Sequence, residues 1–138
     1  MASYNKFQDF VEQLGKGIHD LDGTHTLKVY LSNATPSASA DAVLADLADI
    51  SAGNGYSAGG TATTPTWSES SGTATLATTD VVFTASGGTI GPFRYAVLYN
   101  DTSSSDNLLA WWDYGSSITL NDGETFTVDF GASTFTLA

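Results

Sequence analysis

Two histidines, His19 and His25, bracket Asp20 and Asp22 in the stretch "HDLDGTH". Imidazole and carboxylate together bind divalent metals, but neither this spacing nor the local glycine matches an established ligand pattern. The stretch reads instead as a solvated loop leading into a strand. The oxygen-rich run "NDTSSSDN" offers Asn100, Asp101, Asp106 and Asn107 as calcium-type ligands. It lacks the alternating Asp/Asn positions and the closing glutamate of a calcium loop, and reads as a polar hairpin turn. Carboxylates are plentiful, yet nothing marks out one pair for acid–base work on a glycosidic bond. No G-x-S-x-G element accompanies the serines, and "GKG" at 15–17 lacks the glycine spacing and following Ser/Thr of a phosphate loop. With no cysteine there is no thiolate nucleophile, disulfide or thiolate zinc site. These residues point to a protein without catalytic residues, metal or cofactor, and so not to an enzyme.

The side chains suited to recognition are more concentrated. In "LLAWWDYGSS", strand alternation sends Trp112 and Tyr114 to one face and Trp111 with Asp113 to the other. One tryptophan therefore faces away from the sheet's core. Three fates compete for it: cover by the chain's own helix or loops, burial in a protein interface, or stacking on a sugar ring. The chain's single arginine, Arg94, opens the apolar run "PFRYAVLY". Its planar guanidinium suits a two-point grip on a carboxylate of a neighbouring strand, with Asp113 and Asp129 as candidates, which would fix register. The competing role is a contact across a subunit boundary.

The elements that must position these residues follow from periodicity. Phe7, Phe10, Val11, Leu14 and Ile18 recur at spacings of three and four, which predicts a short amphipathic helix over 5–15, capped by Ser3 or Asn5 and stopped by Gly15 and Gly17. Leu27, Val29 and Leu31 alternate with Lys28 and Tyr30 as a first strand. From Trp67 the period is two, with turn signals at 86–88, 100–107, 121–123 and 131–133. The fold class predicted is mainly β: an antiparallel β-sandwich or small barrel, its strands joined mainly by hairpins, behind the N-terminal helix. One domain spans 1–138, with a helical arm over 1–25, a loop-rich excursion over 34–66 and the sandwich strands over 67–138. The excursion is too long for an ordinary connector, which predicts a functional loop or a packed flap.

Four Lys plus Arg against fifteen Asp plus Glu give a formal charge of -11, which repels phosphate backbones and anionic lipid. Neither nucleic acid nor membrane is expected as a partner. The N-terminal sequence has no basic leader followed by an apolar run, so a soluble chain assembled in the cytoplasm is expected, and the sequons at Asn33 and Asn100 read as chance.

The segments "YNKFQDFVEQLGKGIHDL", "LKVYLSNATP", "ISAGNGYSAGG", "VVFTASGGTIGPFRYAVLYND" and "WWDYGSSITLNDGETFTVDF" together resemble a family of small structural proteins of tailed bacteriophages. The likeness covers most of the chain in order, and "GPFRYAVLYND" followed by "DYGSSITLNDGETFTVDF" is its most specific part. It carries Arg94, Tyr95 and Tyr99 in one motif and Tyr114, Gly115 and Ser116 in the other, and implies no catalytic residues. The role implied is a head decoration, or cement, protein on the outer capsid surface of the virion. Such a protein would bind the major capsid protein and itself, often as a homotrimer. The expected interface set is Trp111, Trp112, Tyr114 and Arg94, with Phe7 and Phe10 from the helical arm; that arm or the 34–66 excursion would supply the clamp. The alternatives are a tail-fibre, tail-tip or head-fibre adhesin stacking a host glycan on Trp111 or Trp112, and a tail or connector subunit that polymerises into rings.

Overall fold

The computed structural model describes residues 3–138. Ten strands and one α-helix follow in the order β1 (Tyr4–Lys6), α1 (Gln8–Gly15), β2 (Leu27–Ser32), β3 (Thr61–Thr63), β4 (Pro65–Ser70), β5 (Thr73–Thr78), β6 (Val81–Thr84), β7 (Ile90–Asn100), β8 (Leu108–Leu120), β9 (Thr125–Val128) and β10 (Phe135–Leu137). A 3-10 turn lies at Leu44–Asp46. All pairings are antiparallel, in a five-stranded sheet ordered β1-β8-β7-β2-β3, a three-stranded sheet β10-β5-β4 and a two-stranded ribbon β6-β9. The fold is mainly β and sandwich-like, as the alternating pattern predicts.

The main core joins the five-stranded sheet to the two smaller ones. Val29 and Leu31 of β2, Ala96 and Leu98 of β7 and Trp112 of β8 pack with Leu76, Phe83, Phe130 and Phe135. A second cluster covers the opposite face of the same large sheet, where Tyr30, Val97, Tyr99 and Leu108 meet Phe7 and Leu47. Both faces of β2 and β7 are thus buried, which is why their sequences are apolar at nearly every position.

The excursion over 34–66 is a packed flap that supplies this second layer. Buried tyrosines hold it. The Tyr30 hydroxyl donates to the Leu47 carbonyl at 2.9 Å, the Tyr99 hydroxyl to the Gly59 carbonyl at 2.7 Å, and the Tyr56 hydroxyl to the Asp49 carboxylate. β3 pairs with β2 only as far as Val29. Beyond it, Leu31 N–H donates to the Tyr56 hydroxyl at 2.9 Å and its carbonyl accepts from Ile50 N–H at 3.2 Å, so the flap takes the place of the missing strand.

Three expectations from the sequence need correction. Residues 4–6 are a strand rather than the start of the helix, because Tyr4, Asn5 and Lys6 pair with Trp112, Trp111 and Ala110 along the open edge of β8. The helix therefore begins after Phe7, which makes no side-chain cap, and neither Ser3 nor Asn5 caps it. Among the described residues, hairpins join only β4 to β5 and β7 to β8. The turns at 86–88 and 121–123 instead carry the chain between different sheets. They meet each other, Gly87 N–H donating to Asp122 Oδ1 at 2.9 Å and Gly123 N–H to the Ala85 carbonyl at 2.7 Å. Finally, the sandwich begins before residue 67: β2 lies inside the large sheet, flanked by β7 and β3.

Candidate docking cleft

An open cleft of about 400 Å³ lies where β9 and the residues after it face β7 and β8. Its lining includes Arg94, Trp112, Tyr114, Phe126, Asp129 and Phe130. The pairing of β7 with β8 explains how it forms. Tyr95 opposes Asp113 and Phe93 opposes Ile118, so Arg94 alone faces the stretch from Tyr114 to Ser117. This wide bulge carries Gly115 at φ 101°, a left-handed conformation that favours glycine, and all of 114–117 is exposed. Tyr114 is pushed outward by it and is 56% exposed, the highest exposure among the large apolar side chains of the described residues.

The aromatics form a graded wall. Trp112 is buried and meets Phe130 edge-on at 5.2 Å between ring centroids, Phe93 supports Phe126 at 5.0 Å, and Tyr114 leans on Phe126 at 5.7 Å. Arg94 grips Asp113 with two parallel bonds, Nε to Oδ1 at 2.8 Å and Nη2 to Oδ2 at 3.0 Å. Gly115 N–H adds a third bond to Asp113 Oδ1 at 2.8 Å. The Arg94 bonds, then the Gly115 amide, hold the Asp113 carboxyl below its ordinary range, and Asp113 in turn raises the Arg94 guanidinium. The fork thus pins the bulge: its carboxylate binds β7 through Arg94 and the first turn of the bulge through Gly115. Asp129 is exposed at the cleft and accepts from Gly131 N–H at 2.8 Å.

Of the residues expected at an interface, Arg94, Trp112 and Tyr114 meet at this cleft, while Trp111, Phe7 and Phe10 do not. Phe7 and Phe10 are fully buried. Phe7 packs against Trp111 at 4.6 Å and Phe10 edge-on against Phe135 at 5.5 Å, so both fasten α1 to the chain's own sheets. Trp111 is partly buried, packed against the cluster that holds Phe7 and Leu47. The outward tryptophan is thus partly covered by its own chain, and Tyr114 is the most exposed aromatic among the described residues. Phe126 and Phe130 escape notice in the sequence, where they read as strand alternation like any other. Only the β6–β9 ribbon's position opposite β8 makes them a wall.

The loop at 100–107 does not gather its oxygens into a cage. Asn100 and Asn107 turn inward, and Asp101 pairs with Lys28 at 3.1 Å. His19 and His25 do come together, through Asn100 and without a carboxylate between them. Ion pairs from Lys16 to Glu12, Lys28 to Asp101 and Arg94 to Asp113 occupy three of the four basic side chains, leaving most of the fifteen carboxylates without a cation among the described residues. In comparisons with known families, curated proteins and solved structures, none matches this chain.

Proposed function

We propose that the chain is a non-enzymatic structural subunit of a bacteriophage virion, a decoration protein that docks on the outer capsid shell through the Tyr114 cleft. The observation that carries this reading is Tyr114 itself: an aromatic 56% exposed beside an apolar cleft of about 400 Å³. Exposed aromatics beside a preformed apolar recess are the usual anchors of protein interfaces. The uncompensated carboxylates favour a partner whose contact surface is basic, and disfavour docking without one. The resemblance to phage structural proteins supplies the setting, with the major capsid protein as partner and a homotrimer as the assembled form.

The test is binding of the purified protein to expanded capsids that lack it. Wild-type protein is expected to bind and to raise their resistance to heat; Tyr114→Ala is expected to lose binding while keeping its own melting temperature. Absence of wild-type binding, with capsids equally stable in its presence, overturns the proposal. The polar groups of Arg94, Thr127 and Asp129 in the cleft lining give the adhesin alternative one specific support, since a sugar ring stacked on Tyr114 would find hydrogen-bonding groups there. Binding on a glycan array that disappears in Tyr114→Ala would replace the capsid reading with that one.

A further inference from the structure

Asn100 is fully buried at the end of β7, and both ends of its amide are committed. Its Oδ1 accepts from Thr102 N–H at 3.0 Å and Ser103 N–H at 3.3 Å, which fixes the oxygen toward the β7–β8 turn. The amide nitrogen must then face the other way, where it lies 3.1 Å from His19 Nδ1 and 3.0 Å from His25 Nδ1. An NH₂ group only donates, so both Nδ1 atoms are acceptors and both rings carry their proton on Nε2. Asp20 N–H, 3.2 Å from His25 Nδ1, independently requires the same tautomer of His25.

We propose that Asn100, His19 and His25 form an acid-releasable latch that ties the segment between α1 and β2 to the β7–β8 hairpin. It is closed while both imidazoles are neutral and opens when either is protonated. A proton on Nδ1 turns an acceptor into a donor aimed at another donor. Among the described residues His19 has no alternative partner: its Nε2 is buried without a hydrogen bond there, so the imidazolium would be left without an acceptor at either nitrogen. It must leave its site, and Phe10, whose ring lies 5.3 Å from it, loses that cover.

Asp20 and Asp22 lie in the latched segment itself, the Asp20 carboxylate accepting from Asp22 N–H at 3.0 Å. Asp9 of α1 favours a charged His19, whereas His25 opposes it; Asp101 of the hairpin is already engaged by Lys28 of β2. Burial dominates, with His25 second, and holds His19 down to about 4. The bonds from Asp101 N–H to the Thr26 carbonyl at 2.9 Å and from Thr26 N–H to Thr102 Oγ1 at 2.8 Å do not titrate, so release is confined to the latch and the segment it holds.

Hydrogen exchange tests this directly. Protection of the Asp20, Thr102 and Ser103 amides, corrected for intrinsic rates, is expected to fall at least about tenfold between pH 7.5 and pH 5, because any state that frees His19 gains a proton over this range. In a His19→Gln, His25→Gln variant the fall is expected to vanish. The same loss of protection in that variant, or constant protection in the wild type, overturns the latch. Should the variant fail to fold, ring-nitrogen NMR of the wild type decides: unprotonated Nδ1 in both rings at pH 7.5 supports the latch, and a protonated Nδ1 in either refutes it.

Discussion

Replacing Tyr56 with Phe removes one oxygen atom from the point where the flap stands in for a strand. The hydroxyl there accepts from Leu31 N–H at 2.9 Å and donates to the Asp49 carboxylate, which also accepts from Gly59 N–H at 2.7 Å. Burial, reinforced by the bond to Asp49, raises the phenol well above its ordinary range, so it stays protonated and able to donate at any working pH. Without it, Leu31 N–H has no partner, because β3 ends its pairing at Val29. An orphaned buried amide costs about 1–3 kcal/mol and the lost bond to a carboxylate adds to this, so Tyr56→Phe is expected to destabilise by about 2–3 kcal/mol. For a chain of this length that is a fall in melting temperature of about 6–12 °C. Tyr30→Phe is the control: it removes a single bond to the Leu47 carbonyl and leaves no amide stranded, for about 1 kcal/mol. Urea melts of both variants, with slopes equal to the wild type, give the comparison. A Tyr56→Phe midpoint equal to that of the wild type or of Tyr30→Phe would refute the view that this hydroxyl replaces a strand.

Gly60→Ala is expected to abolish folding, a loss of about 4 kcal/mol or more, because a Cβ there would overlap the Val29 carbonyl and φ is +78°; circular dichroism of the soluble fraction checks it. Arg94→Ala is expected to lower the melting temperature slightly at neutral pH and to flatten the acid side of the stability profile. The folded Asp113 carboxyl titrates below its ordinary value, so its contribution is complete above about pH 4 and is lost as the pH falls through the lowered value. Melts from pH 2 to 6 that remain parallel in wild type and variant would contradict that. Trp112→Ala is expected to cost about 3–5 kcal/mol because the indole is buried against Phe130, whereas Tyr114→Ala is expected to stay within about 0.5 kcal/mol. Denaturant titration separates the two, and equal losses would mean that Tyr114 is not a free surface residue.

The alternation from residue 67 onward made the antiparallel fold legible, and the spacing of Phe7, Phe10 and Leu14 made the helix legible, because periods of two and 3.6 are local properties of the backbone. The Arg94 fork was legible as a pair of candidates: a planar guanidinium at the start of an apolar strand needs a carboxylate, and Asp113 and Asp129 were the ones in reach. Local pattern could not choose between them. The choice depends on register, and the bulge at 114–117 sets that register only once β7 and β8 are paired. The same limit explains Tyr4–Lys6, whose strand exists because β8 offers an open edge, and Trp111, whose cover comes from Phe7 more than a hundred residues earlier.

Composition, charge and period are read residue by residue: an acidic, cysteine-free chain with strands of alternating polarity. Tertiary structure alone decided which side chains meet. Tyr114 became an exposed cleft residue through a bulge, Phe126 and Phe130 became a cleft wall through a ribbon paired out of sequence order, and two histidines that looked like poor metal ligands closed on one buried asparagine. The physical reason is common to all three. Burial and hydrogen-bond partnership belong to contacts between distant segments, and a residue's own neighbours in the chain do not encode them.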